Sequence, residues 1–242
     1  MPPKFVSVVG YKGSGKTRTV EGLIQELRRR GLRVGTVKHI PSHRPDVPGK
    51  DTWRHMEAGA ECVVAAGPWG TAVWTSETPA PWSVWPLWEL DFVLVEGFKQ
   101  VGNMARIVVV RDRGEALELS KGLEIAYVSE QELGLDVPRV EPGDWGRLAD
   151  IVVEKAFPAL PGLNCGLCGF PSCEKLAEAI LSGKASPNSC RVVGGDVHLE
   201  VGGETVPLNP FVRELLGSLI RTFVSKLKGV KRGSIVVRVG WS

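Results

Sequence analysis

The chain has 242 residues, 43% of them apolar and 24% charged, and its 30 basic and 27 acidic side chains leave a formal net charge of +3. That is enough apolar material for one large domain or two modest ones, and too little charge to point to nucleic acid. No apolar run approaches the roughly 18 residues of a membrane span, and MPPKFVSVVG has no signal-peptide core, so a cytoplasmic protein is expected.

Residues 1–157 alternate short β-branched runs with helical patterns, which predicts an α/β unit built on a mostly parallel sheet. FVSVV (5–9) reads as a buried strand. It runs into GYKGSGKT and then a helix in which Val20, Leu23, Ile24 and Leu27 keep helical spacing until Gly31 closes it. The basic run RRRGLR (28–33) falls at the end of that helix, where cations face the negative end of its dipole. Further strands are predicted at 33–39, 61–66, 71–75, 91–97, 106–110 and 124–128, and GDWGRLADIVVEKAF supplies the last helix.

FPALPG (157–162) breaks any regular pattern and marks a boundary, leaving 158–242 as a second, small α+β domain. There the pattern predicts a helix in EKLAEAILSG, a hairpin from Val192 to Val206, a long helix and a final strand SIVVRV. Phe211, Leu215, Leu219, Phe223 and Leu227 form one row on the long helix and Val212, Leu216, Ile220 and Val224 another. This face is expected to be buried against the hairpin and final strand, with a membrane-surface helix as the rival reading.

GYKGSGKT fits G-x-x-x-x-G-K-S/T from Gly10 to Thr17, and the strand before it and helix after it are the context a phosphate-binding loop requires. Gly10, Lys12, Gly13, Ser14 and Gly15 would wrap the phosphates, Lys16 would reach the outer ones, and Thr17 would place its hydroxyl on Mg²⁺. DFVLVEG puts Glu96 at the carboxyl end of a strand, as a direct or water-mediated Mg²⁺ contact or as an anchor of the following loop, and Gly97 would bring its N–H near a terminal phosphate. Lys38 and His39 end another strand and would face the same phosphates. In the long loop after them, Asp46 or Asp51 would orient a water or touch the metal, Asp51 serving equally as a helix N-cap. His39 and His43 lack a third partner at zinc spacing.

GYKGSGKT, VGTVKH, PGKDTWRHMEAGA and LVEGFK, in this order across about residues 4–110, resemble the molybdopterin-guanine dinucleotide biosynthesis protein B (MobB) family. The resemblance implies a P-loop GTP-binding protein, slow in hydrolysis and dimeric, that assists the guanylyltransferase joining GMP to molybdopterin. It also implies Lys16 and Thr17 as nucleotide and Mg²⁺ contacts, with Asp46 and Glu96 near the phosphates. The family loop is richer in histidine than IPSHRP, and no N-K-x-D guanine signature is present, so guanine rests on the resemblance.

Cys165, Cys168, Cys173 and Cys190 give the spacing C-x2-C-x4-C-x16-C. In a reducing compartment this reads as a metal site rather than a disulfide framework, and both zinc and a [4Fe-4S] cluster accept four thiolates. Three ligands bunched on a glycine-rich loop favour the cluster. LPGLNCGLCGFPSCEKLAEAILSGKASPNSC resembles the four-cysteine iron-sulfur domain found in corrinoid iron-sulfur proteins and in Rnf-type electron-transport complexes. Cys62 reads as a small core residue. Trp69, Trp74, Trp82, Trp85 and Trp88 crowd a proline-broken segment that would be core or partner surface. The expectation is a GTP-binding accessory protein of molybdenum or tungsten cofactor assembly, partnered with a guanylyltransferase or molybdoenzyme. The alternative is a nucleotide-driven redox protein.

Overall fold

The computed structural model describes residues 2–40, 46–68, 70–75, 90–192, 197, 199–201, 204–206, 208, 210–228 and 235–237. In chain order the elements are β1 (Lys4–Gly10), α1 (Lys16–Arg29), β2 (Val34–Lys38), α2 (Asp51–Glu57), β3 (Cys62–Gly67), β4 (Gly70–Thr75), β5 (Phe92–Glu96), β6 (Ala105–Val109), α3 (Arg113–Leu119), β7 (Glu124–Val128), β8 (Arg139–Val140), α4 (Trp145–Lys155), α5 (Cys173–Leu181), β9 (Glu200–Val201), β10 (Glu204–Thr205) and α6 (Pro210–Ser225).

Six strands form one parallel sheet in the order β2-β5-β1-β6-β7-β8. β1 lies inside it and is covered on both faces, which is why its sequence is a continuous apolar run rather than an alternation. Val6, Val8, Leu94, Ile107 and Val109 face α1 and α4. On the other face, Val9 and Val108 meet α3, while Phe5, Val93 and Val95 lie under Phe98, Val101 and Met104 of the β5–β6 connection.

α1 ends as predicted. Gly31 takes a left-handed φ of +80°, and its N–H and that of Leu32 donate to the carbonyls of Arg28 and Leu27. The basic run is a solvated helix end, with Arg29 and Arg30 both paired to Glu26 and Arg30 also reaching Asp150 at the start of the second turn of α4. At the α1–α4 seam the Trp145 indole lies directly on Gly22, where a Cβ would fall 2.4 Å from a ring atom.

Several expectations are corrected. β3 and β4 do not join the parallel sheet; they form an antiparallel ribbon of their own. The two residues between them permit a hairpin, whereas parallel neighbours need a crossover of a dozen residues or more. Among the described residues Val64 and Val73 are about 60% exposed, and Cys62, expected in the core, is exposed. α3 is additional to the predicted elements; its seven residues are too few to establish a helical period, although Asp112 caps it by accepting the Glu115 N–H. Asp51 is not an N-cap but the first residue of α2, 3.9 Å from Arg54. In α6, Phe211, Leu215, Leu219 and Phe223, and Leu227 just beyond its end, are exposed rather than buried, while Leu216, Ile220 and Val224 are partly covered. Residues 235–237 form no strand. Of the tryptophan group only Trp74, on β4, lies within the described residues; His43 lies outside them, with the rest of 41–45.

The 157–162 segment is docked rather than free. The Phe5 N–H donates to the Phe157 carbonyl, and Leu160 exchanges hydrogen bonds with Asn103 through both its N–H and its carbonyl. Leu160, Cys173, Leu176, Ala177, Cys190 and Val192 belong to the same core as Val6 and Leu23. The cysteine unit therefore sits at the amino-terminal edge of the strands, and GYKGSGKT at the carboxyl edge.

Candidate functional site

Between β1 and α1 the chain turns through Gly13 (φ +78°) and Gly15 (φ +94°), conformations open to glycine at little cost. A Cβ on Gly10 would meet the Val109 carbonyl at 2.4 Å, so the strand can enter the turn only without a side chain there. The loop thus delivers the unsatisfied N–H groups of the α1 N-terminus to one side, where an anion is favoured. The Ser14 hydroxyl is buried without a partner among the described residues, and Lys12 is exposed at the crest of the turn.

The structure brings four of the singled-out side chains together. Thr17 Oγ1 donates to Glu96 Oε1 at 3.0 Å, and Lys38 Nζ lies 3.2 Å from the same oxygen. Lys16 Nζ arches back over the loop to the Tyr11 carbonyl at 2.5 Å. Burial holds the Lys16 ammonium below its ordinary pKa; Glu96 opposes the shift, and Lys99 and Lys38 add to it. A cation so surrounded gains from an arriving anion. Lys99, three residues after Glu96 in LVEGFK, stands over the Tyr11 ring at 4.1 Å, a placement that no motif spacing announces.

Other residues stand apart. The Gly97 N–H, expected near a terminal phosphate, donates to the Val8 carbonyl, because Gly97 still continues the sheet pairing. The His39 ring packs on Phe98 at 4.6 Å. Asp46 accepts from the Val47 N–H, and its other carboxylate oxygen is buried without a partner among the described residues, where no hydrogen bond or ion pair joins it to Lys16, Thr17 or Glu96. On the far flank of the loop, a cavity of about 320 Å³ opens between Gly13–Gly15, Arg18 and the ends of β6 and β7.

The cysteine loop is held by local bonds. Asn164, at φ +49°, accepts the Cys173 N–H on its side chain at 2.8 Å, and Gly166 and Gly169 take positive φ between the cysteines. Ser172 caps α5, making Cys173 its first residue. Cys190 follows a 3-10 turn, Pro187–Ser189, that Ser186 and Ser189 cap reciprocally. All four cysteines line one hollow with Leu163, Phe170 and Leu176, and none forms a disulfide. Cys173 and Cys190 are buried and Cys165 is exposed. Among the described residues no three His, Cys, Asp or Glu side chains converge closely enough for a single metal ion. Four thiolates on one hollow can hold either a tetrahedral metal ion or an iron-sulfur core.

The model of the family described as molybdopterin guanine dinucleotide synthesis protein B (MobB) matches residues 5–130, and a provisional Fe-S cluster family matches 160–192. A Methanocaldococcus jannaschii protein, provisionally named a molybdopterin-guanine dinucleotide biosynthesis adapter protein, is 29% identical over 233 residues, covering 94% of this chain and 93% of its own. A component of the ion-translocating oxidoreductase complex of Rhodobacter capsulatus is 50% identical over 48 residues, 20% of this chain and 26% of its own. A crystal structure of molybdopterin-guanine biosynthesis protein B overlays with a TM-score of 0.51 at 28% identity, covering 62% of this chain and 96% of that one. No helix among the described residues is long and apolar enough to cross a membrane. On its P-loop fold and a family match over more than half its length, the chain belongs to the MobB family and carries an Fe-S cluster segment after the family domain.

Proposed function

We propose that this chain is a cytoplasmic GTP-binding adapter in molybdopterin guanine dinucleotide formation, with a [4Fe-4S] cluster held by Cys165, Cys168, Cys173 and Cys190. The observation that carries the nucleotide reading is the Thr17–Glu96 hydrogen bond beside a lysine whose ammonium bonds the Tyr11 carbonyl. In this reading Lys16 leaves the Tyr11 carbonyl for the outer phosphates, Lys12 and Lys38 flank them, and Thr17 and Glu96 hold Mg²⁺ directly or through water. The unpartnered carboxylate oxygen of Asp46 supports a role for it in orienting a water at that metal. Among the described residues no arginine side chain bonds to Lys16, Thr17 or Glu96, which supports turnover below about 1 s⁻¹, at the low end for enzymes. That all four cysteines line one hollow supports the cluster; bound there, it would supply one-electron chemistry or a rigid cross-link between α5 and the loop.

Nucleotide and cluster sites at opposite edges of the sheet favour an adapter over a machine coupling hydrolysis to electron transfer. A guanylyltransferase of the pathway is the proposed partner. The exposed apolar ribbon β3–β4 supports a homodimer, which light scattering would test. The decisive experiment measures iron, sulfide and zinc in anaerobically purified protein, and GTP and ATP binding with Mg²⁺ by calorimetry. Expected are about four irons per chain, tighter binding of GTP, and a loss of roughly tenfold to a hundredfold for Lys16→Ala, the worth of one charge-assisted contact. One stoichiometric zinc without iron would defeat the cluster, and binding unchanged by Lys16→Ala would defeat the phosphate site.

A further inference from the structure

The cavity of about 320 Å³ beside the phosphate loop falls within the size range of small-ligand sites. Its wall begins at Gly13–Gly15 and Arg18, so a nucleotide whose phosphates meet the α1 N-terminus would extend its base into it. The walls differ in what they can still offer. Arg111 is committed to Glu115, which grips its guanidinium and also accepts its backbone N–H at 2.9 Å. Asp112, in the same connection, is spent as the cap of α3. Among the residues lining the cavity one carboxylate remains, Glu130, and it makes no ion pair or side-chain hydrogen bond among the described residues.

Glu130 is also held in place by its neighbours. The Ser129 carbonyl accepts from Arg139 at 3.0 Å, the Ser129 N–H donates to the Val140 carbonyl, and the Gln131 N–H donates to the Ser129 hydroxyl at 3.2 Å. The backbone on both sides of Glu130 is therefore fixed while its carboxylate stays uncommitted, the arrangement a reading residue needs.

We propose that the Glu130 carboxylate reads the base, selecting guanine over adenine by accepting from guanine N1–H and the 2-amino group together. Two adjacent acceptors match two adjacent donors in a charge-assisted fork. Adenine sets its N1 lone pair against the same carboxylate, so the choice is made by repulsion as well as attraction. This rests on the phosphate-loop reading and adds a base-reading residue to it.

The test uses the full-length protein with Mg²⁺ and measures affinities for GDP, inosine diphosphate, xanthosine diphosphate and ADP by calorimetry. The wild-type protein should bind GDP at least about tenfold more tightly than inosine diphosphate, which lacks the 2-amino donor, and than ADP, one charge-assisted bond being worth that much. Glu130→Gln should lower GDP affinity by tenfold or more and shift preference toward xanthosine diphosphate, whose O2 accepts from the new amide, while ADP binding should tighten as the repulsion is relieved. An unaltered GDP to ADP ratio in Glu130→Gln, equal wild-type affinity for GDP and inosine diphosphate, or a wild-type preference for ADP, which the Gln131 amide would favour, overturns the assignment. Lys16→Ala keeps the two readings apart: it should weaken all four ligands alike, and would do so even if Glu130 proved irrelevant.

Discussion

Replacing Gly22 with alanine tests whether the α1–α4 seam fixes the phosphate-loop helix. In an open helix interior the change should stabilise, since glycine costs about 1 kcal/mol relative to alanine. Here the new Cβ would lie 2.4 Å from Trp145 Cε2 and 2.5 Å from Cδ2 and Nε1, more than 1 Å inside the contact distance of about 3.5–4.0 Å. The indole cannot simply retreat, because α4 is capped by Asp144 at its first turn and tied to α1 through Arg30 and Asp150. Forced overpacking costs about 1–3 kcal/mol, so the net effect is a destabilisation of up to about 2 kcal/mol and a Tm lower by several degrees. Removing the ring should reverse the sign. In a Trp145→Ala background, Gly22→Ala should stabilise by about 1 kcal/mol, a coupling that a double-mutant cycle in urea followed by circular dichroism would detect. A wild-type background in which Gly22→Ala raises stability would refute the reasoning.

The two ends of the cysteine set should respond differently to serine. Cys165→Ser should abolish anaerobic iron uptake yet leave the metal-free protein within about 0.5 kcal/mol of wild type, because Cys165 is exposed. Cys173→Ser places a hydroxyl in the shared core and should cost the metal-free protein about 1–3 kcal/mol in denaturant melts as well; equal melts for the two variants would contradict the packing. At low pH, Arg29 and then Arg30 hold the Glu26 carboxyl down to about 2 from 4.5. Its stabilisation is fully present above about 4.5 and is lost as pH falls through 2, so the Tm difference between wild type and Glu26→Gln should shrink across that window, and a constant difference would exclude the clamp.

Features governed by local physics were legible in the sequence. The glycines of GYKGSGKT, the period of α1 with its closing Gly31 and the cysteine spacing each act over a few residues, and each appears in the structure. Partnership between distant segments was not. The apolar runs of β3 and β4 announce strands, but only the two-residue link between them dictates that they pair with each other, and the exposure of Cys62 follows from that pairing. The apolar rows of α6 specify a face without saying what covers it. Glu130 carries no local signature; it becomes notable only once the fold lays the end of β7 beside Gly13 and commits Asp112 and Glu115 elsewhere. The Gly97 N–H escapes a local reading because strand pairing, which claims it, is a property of the sheet.

The docking of Phe157 on Phe5 bears on how far the two ends of the sheet can influence each other. From Phe5 to Gly10 the strand rises about 17 Å, at roughly 3.3 Å per residue. One unit charge gained or lost by a cluster near the Phe5 end would act on a charge at the phosphate loop with no more than about 1 kcal/mol, even at an effective dielectric constant of about 20. A change of oxidation state would thus alter nucleotide affinity through space by at most about fivefold for each unit of net charge on the bound nucleotide. Anything larger has to travel through the structure itself, and two hydrogen-bonded routes are available: β1 from Phe5, bonded to Phe157, to Gly10, and the stretch from Asn103, bonded to Leu160, to Gly97, bonded to Val8.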